Sequence, residues 1–331
     1  MTLSSSHSTR RAILPRRAAL AAVTALAALA GCGQDTFVAP PDCGGRRLVA
    51  YARRPIAGLA DVYLFDFDGN GFHLMPNLNH RTLNDVNPTL SSDGRFIAFE
   101  RELNGGDSDI LLYDRCADQL LPQPGLNTPG LEGQPAFSHD GLRLAFVRDT
   151  LGRRRIRLYD GTAARLIPLP ALEAAGAYAD SAPSLDQNGT VIAFVSTRNG
   201  NADVLVYDLV GDSLRSLPDL ASTANDVDPG VTPDGHYLVF ASNRAGGAGD
   251  YDLYLYDLQA RSFLTVAPEV NTQYVERSPT INVDANRIVF ESNRTGSQGM
   301  DLWLYTRSTG HAEHTGASSA SNDVEPCIQW Q

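Results

Sequence analysis

The chain contains no lysine, so all of its basic charge is arginine, which reads as a coding bias rather than as chemistry. Positive charge is also scarce overall: 27 arginines face 38 acidic residues, for a formal net charge of -11. A nucleic-acid binder needs a basic footprint for the phosphates, so that class is excluded. There are only 4 cysteines in 331 residues, and none stands in a CxxC or Cys/His spacing that would hold zinc. The seven histidines form no HExxH pair, and no Gly-x-Ser-x-Gly elbow is present for a serine nucleophile. The longest apolar run, Ala18 to Ala30, is too short to span a bilayer comfortably.

That run has a meaning of its own. Arg10, Arg11, Arg16 and Arg17 precede it, and Leu29-Ala30-Gly31-Cys32 ends it. Basic residues, a short apolar run and small residues make a secretory signal. Residues 1–31 are therefore expected to be a leader, and residues 32–45 a tether rich in Gly and Pro. Thr9-Arg10-Arg11 weakly resembles a twin-arginine export signal. Without the leader the formal charge falls to about -15, because four arginines and no acids leave with it. An exported chain can hold a disulfide. Cys43 and Cys327, one near each end of the folded region, are the expected pair.

What fills the rest of the chain is a repeat. Pro88, Pro135, Pro183, Pro229, Pro279 and Pro326 stand 47, 48, 46, 50 and 47 residues apart. Five residues after each of the first five comes Asp93, Asp140, Asn188, Asp234 or Asp284, and four of these precede Gly. Asp-Gly and Asn-Gly between apolar runs are hairpin signals, because the turn needs a positive φ. Ala285 replaces the glycine in the fifth copy, so that turn is expected to be of another type.

An alternating strand follows each turn and ends on an aromatic anchor: Tyr51, Phe99, Phe146, Phe194, Phe240 and Phe290. A third strand opens on Asp in most copies, as in Asp252-Leu-Tyr-Leu-Tyr256, and a weaker fourth follows. Four short strands in each repeat cannot stand alone and must stack. The last copy stops after its first strand and the first copy lacks that strand, so the two fragments complete each other. The expected fold is an all-β, six-bladed β-propeller over residues 46–331, with the C-terminal strand joining the N-terminal blade.

The pattern Pro-x-x-Ser-x-Asp-Gly-x-x-Ile-Ala-Phe, then Ser-Asn-Arg-x-Gly, then Asp-Leu-Tyr-Leu-Tyr-Asp resembles the WD40-like (PD40) repeat of TolB-type propellers. The resemblance covers about residues 46 to 331. It implies a non-enzymatic protein of the bacterial envelope that binds a partner protein or peptide in the periplasm, here as a monomer. The best-known member carries an extra domain before its propeller, for which the tether leaves no room. Leu-Ala-Gly-Cys resembles the bacterial lipoprotein signal, which implies lipidation of Cys32. Gly33 lacks the Asp that favours inner-membrane retention, so the outer membrane is the expected location. Related repeats also occur in oligogalacturonate-lyase-like propellers, which use a histidine-rich metal site. A carbohydrate-binding or lyase-like protein is therefore the alternative reading, with His73, His139 and His236 as its histidines.

In a four-stranded blade the loops before strand one and after strand two share one face. Asn84, Asp85, Asn225, Asp226, Asn322 and Asp323 are the repeated polar residues of that face. Asn87, Asp228 and Glu325 sit directly before the marker prolines, and the variant loops add Glu132, Gln134, Tyr178, Asp180, Glu276 and Arg277. Together they make a polar rim for a partner. Repetition itself argues that the Asn-Asp pairs shape loops, which leaves Tyr178, Glu276 and Arg277 as the better candidates for specificity. Asn243, Arg244, Asn293 and Arg294 lie on the same face, each Arg expected to pair with the Asp opening strand three. Asp66-Phe-Asp-Gly-Asn-Gly71 matches half of an EF-hand loop, making Asp66, Asp68 and Asn70 a weak calcium candidate beside the plainer reading of a turn.

Overall fold

The computed structural model describes residues 47–55, 57–173, 176–217, 220–295, 299–317 and 321–329, all within one compact unit, Pro40–Gln331. The expected leader and tether, with Cys32 and Cys43, lie outside the described residues.

The strands pair antiparallel in consecutive runs of four. The first run is β1 (Leu48–Arg54), β2 (Asp61–Asp66) and β3 (Gly71–Phe72), joined by β24 (Asn322–Gln329). The second is β4 (Asp85–Leu90), β5 (Phe96–Glu102), β6 (Ser108–Asp114) and β7 (Gln119–Leu121). The third is β8 (Leu131–Phe137), β9 (Arg143–Thr150), β10 (Arg153–Asp160) and β11 (Arg165–Ile167). Three further runs are β12 (Asp180–Leu185), β13 (Val191–Ser196), β14 (Asp203–Asp208) and β15 (Ser213–Leu214); β16 (Asp226–Val231), β17 (Tyr237–Ser242), β18 (Asp252–Asp257) and β19 (Ser262–Leu264); and β20 (Glu276–Ile281), β21 (Arg287–Ser292), β22 (Asp301–Thr306) and β23 (His311–His314). The second and third runs count as one eight-stranded sheet, through a single parallel pair, Ser108 with Leu131.

The core explains why these short sheets hold. Apolar residues from both faces of each run pack against the runs on either side. Ile97 and Phe99 meet Leu64 and Ala50; Ala145 and Ile156 meet Phe194 and Tyr207; Val204 and Val206 meet Phe240 and Tyr256. The last run returns to the first, where Val289, Leu302 and Leu304 pack on Val49, Tyr51 and Phe65. All six aromatic anchors are fully buried. Burial of each such ring contributes about 1.5–3 kcal/mol, and only the stack of neighbours supplies it.

Closure by the C-terminal strand holds: β24 pairs with β1 from Leu48–Gln329 to Arg54–Asn322. The expectation about Ala285 does not hold. Ala285 adopts φ +52, beside +64 to +70 for Gly94, Gly141, Gly189 and Gly235, and its N–H donates to the Asn282 carbonyl as theirs do three residues back. The hairpin registers on either side are unchanged, and they force the left-handed conformation on an alanine.

Candidate partner-binding site at the channel mouth

Each marker proline is preceded by a residue in the left-handed region: Asn87, Gln134, Ala182, Asp228, Ser278 and Glu325, with φ between 47 and 57. The register of strand one against strand two shifts at this point in every run, as a β-bulge does. A bulge takes an N–H out of the ladder, and the neighbouring run accepts it. Asn87 donates its N–H to Glu325 Oε2 at 2.7 Å, Ala182 to Gln134 Oε1 at 2.8 Å, and Ser278 to Asp228 Oδ2 at 3.3 Å. Carboxylates from strand two take two more: Gln134 N–H donates to Glu100 Oε2 at 3.0 Å, and Glu325 N–H to the buried Glu291 Oε1 at 2.6 Å.

These six residues and their prolines surround a cavity of about 540 Å³, also lined by Arg54, Arg277, Glu291 and Met300. The same prolines line a narrower cavity of about 200 Å³ beyond, so they form the waist of a central channel. At the mouth, Arg54 pairs with Glu325 at 2.8 Å and Arg277 with Asp228 at 3.2 Å, both arginines about 40% exposed. Burial pushes the Glu291 carboxyl up to about 7; the Asp228 and Glu325 charges add to this, against the Ser278 hydroxyl and the Glu325 N–H. The mouth therefore offers two half-exposed guanidiniums among carboxylates. Of the expected rim, Asn87, Gln134, Asp228, Arg277, Asn322 and Glu325 line it; Arg54 and Glu291 were missed, because strand two carries them.

Six other rim candidates do not reach the mouth. Asp85, Glu132, Asp180, Asp226, Glu276 and Asp323 stand three residues before the six prolines, and every one has no exposure. Each is paired with an arginine: Arg101 at 2.6 Å, Arg148 at 2.7 Å, Arg198 at 3.2 Å, Arg244 at 2.8 Å, Arg294 at 3.1 Å and Arg53 at 2.7 Å, respectively. The arginine reaches its partner by two routes. In three runs it stands two residues after the aromatic anchor, directly opposite the carboxylate. In the other three that place is Ser196, Ser242 or Ser292, and an arginine two residues later folds back over the serine hydroxyl. Each guanidinium lies over its anchor ring, at 5.2–5.6 Å from the ring centroid. Most also take a loop carbonyl, such as that of Leu78, Leu126 or Leu220. These clasps hold the scaffold: Glu276 is buried against Arg294 and does not line the mouth, and Arg244 and Arg294 pair with strand one rather than, as expected, with the Asp opening strand three.

The asparagines shape loops. Asn84 Oδ1 accepts from Ala60 N–H at 2.8 Å, Asn322 Oδ1 from Met300 N–H at 2.9 Å, and Asn225 Oδ1 from Ala202 N–H at 3.3 Å. Asn243 and Asn293 accept from Asn225 and Val275 N–H groups. Two guanidiniums lie over the Tyr178 ring, that of Arg155 at 3.8 Å from the centroid and that of Arg198 at 4.7 Å. Arg155 stands where most copies open strand three on Asp, and it packs on the Tyr178 ring instead. Asn79, Asn127 and Asn271 bridge the backbone of Val62, Ile110 and Leu253 at both N–H and C=O, a device that sequence reading missed.

On the opposite face the half EF-hand is a turn. Asp66 Oδ1 accepts the N–H groups of Asp68 and Gly69, while Asp68 binds the Arg47 guanidinium at 2.7 Å and Asn70 sits at φ +46. Asp114, Asp160, Asp208 and Asp257 fold the equivalent turns in the same way. His73 lies 3.4 Å from Asp66, His236 lies 3.1 Å from Asp257, and burial holds His139 below its ordinary pKa. Among the described residues no three His, Cys, Asp or Glu side chains gather as a metal site. The expected Cys43–Cys327 bridge is not formed. Cys327 is a free thiol, its pKa raised by burial, and its Sγ accepts the Leu90 N–H at 3.4 Å. Among the described residues, Cys116 is disulfide-bonded. The register directs the Cys327 side chain inward, toward the core with Leu64 and Leu90.

Fold and site define an all-β propeller with a polar channel mouth. No protein-family model and no curated protein matches the chain. Solved structures do. TolB from Acinetobacter baumannii superposes with a TM-score of 0.70 at 17% identity, over 89% of this chain and 69% of that one. A putative TolB from Agrobacterium tumefaciens gives 0.60 at 14% identity, over 82% and 89%. An oligogalacturonate lyase in complex with manganese gives 0.55 at 13% identity, over 82% and 81%. At these identities the likeness is one of fold: the chain is a TolB-like β-propeller.

Proposed function

We propose that the chain is a non-enzymatic, six-bladed envelope lipoprotein, anchored by lipid on Cys32 and facing the periplasm from the outer membrane, that binds a partner protein or peptide at the channel mouth. The observation that carries the reading is the division of labour among polar residues. Most of the repeated ones are consumed in clasps, turns and loops, whereas the mouth gathers, beside Asn322, the unrepeated side chains Arg54, Arg277, Asp228, Glu325 and Gln134 around an opening of about 540 Å³. Binding sites are concave, with a few placed polar groups. The six four-strand runs, each packed on the next, support the blade count.

The test is photo-crosslinking in cells, with a photoreactive amino acid at Met300 in the mouth or at Val283 on the opposite face. A discrete product from Met300 alone supports the reading; equal labelling from both faces, or none, removes it. Bound metal together with saturable sugar binding would replace it with the carbohydrate-active alternative.

A further inference from the structure

We propose that the backbone N–H of Asp228 is a recognition point of the channel mouth, and that the partner meets it with a side-chain carboxamide, as of glutamine or asparagine. The proposal rests on the mouth-binding reading above and names the group that the mouth selects.

The bulges around the mouth follow one rule. Each N–H before a marker proline is served by the run that precedes it around the ring, from one of two places. In three cases the acceptor is that run's own bulge residue: Glu325 serves Asn87, Gln134 serves Ala182, and Asp228 serves Ser278. In two it is the residue directly after the aromatic anchor: Glu100, after Phe99, serves Gln134, and Glu291, after Phe290, serves Glu325. Asp228 is the sixth. In the run before it the two places hold Ala182 and, directly after Phe194, Val195. Neither side chain carries a polar atom. Among the described residues no side chain accepts the Asp228 N–H. The rule therefore breaks at this one bulge.

The break is open to a partner. Ala182, Pro183, Asp228 and Pro229 all line the opening of about 540 Å³. Asp228 turns its carboxylate the other way, to the Ser278 N–H at 3.3 Å and to Arg277 Nε at 3.2 Å. A donor in a half-buried place favours whatever ligand satisfies it.

Charge chooses the acceptor. An incoming carboxylate would stand close to the Asp228 carboxylate, in a protein of formal net charge -11, and like charges repel. A carboxamide offers the same kind of oxygen without the charge. Gln134 supplies the pattern, since its Oε1 takes the Ala182 N–H at 2.8 Å one bulge earlier. Ala182 also shows how the site can be closed from within. Its φ of +47 matches the +51 of Gln134, so this backbone already carries a glutamine elsewhere in the ring.

The test selects displayed random peptides on the full wild-type protein. The expected peptides share a glutamine or asparagine and lose binding to Arg54→Ala/Arg277→Ala. Ala182→Gln, which supplies its own carboxamide, should weaken them about tenfold, the scale of one missing hydrogen bond. Its urea midpoint should be no lower than that of wild type. Ala182→Gly leaves the N–H open and should bind as wild type does. Replacing the shared carboxamide residue of the peptide by methionine should cost a similar factor on wild type, and this arm decides if Ala182→Gln does not fold. Peptides that need the two arginines but share no carboxamide, or that bind folded Ala182→Gln as they bind wild type, overturn the Asp228 assignment alone. No enriched peptide, or peptides indifferent to both the arginines and Ala182, overturns the mouth reading together with it.

Discussion

Replacing Arg101 with methionine tests the clasps directly. Arg101 binds Asp85 through two bonds, Nε to Oδ1 at 2.6 Å and Nη2 to Oδ2 at 3.0 Å, and Nη2 also donates to the Leu78 carbonyl at 2.8 Å. The Asp85 side chain has no exposure and that of Arg101 has 10%. Methionine keeps much of the stem over Phe99 but strands a buried carboxylate. Breaking a buried pair from one side costs about 3–5 kcal/mol. Adding Asp85→Asn removes the stranded charge while its amide oxygen still accepts the His80 N–H, so the double variant should regain about half of the loss or more. Arg154 is the control: it pairs with Asp149 at 3.5 Å with 54% of its side chain exposed, and Arg154→Met should cost less than about 1 kcal/mol. The assay is urea unfolding of the four proteins, extrapolated to water. If Arg101→Met proves no costlier than Arg154→Met, the clasps are not structural and the division of polar residues into scaffold and site fails.

Three further outcomes follow from particular groups. The Glu291 carboxyl is raised to about 7, so the folded state binds its proton more tightly than the unfolded chain does, and stability should fall as pH rises from the ordinary carboxylate range through about 7. The loss should be on the order of 3 kcal/mol and absent in Glu291→Gln; denaturant unfolding across pH 5 to 8 checks both, and identical pH profiles would contradict the burial argument. Cys327 should be alkylated only once the protein is unfolded, without reductant; a need for reductant would mean that it is bridged after all. Calcium should leave the melting temperature unchanged, since Asp66 and Asp68 already serve the backbone and Arg47; a rise with calcium that Asp68→Asn abolishes would restore the ion-binding reading.

How far the sequence could be read depended on whether a feature recurs in register. The marker prolines, turn residues and aromatic anchors do, so the strand order and the closure of β24 on β1 were legible before any coordinates. The clasps were not. Their carboxylate is Asp in four runs and Glu in two, and their arginine stands two or four residues past the anchor, so no fixed spacing announces the pair. Only the cross-strand register, with Asp226 opposite Ser242, shows why Arg244 folds back. Arg54 escaped notice because it lies on strand two, while the rim was sought in the loops before strand one.

The central claim is that recognition belongs to the unrepeated residues of the mouth and not to the recurrent Asn-Asp loops. The most direct measurement is the affinity of the partner captured through Met300 for three proteins: wild type, Arg54→Ala/Arg277→Ala, and Asn225→Ala. The account predicts that the double arginine variant loses at least tenfold in affinity, about 1.4 kcal/mol, while Asn225→Ala binds as wild type does and loses only stability. Full affinity in the double variant, with binding lost in Asn225→Ala at unchanged stability, would contradict it.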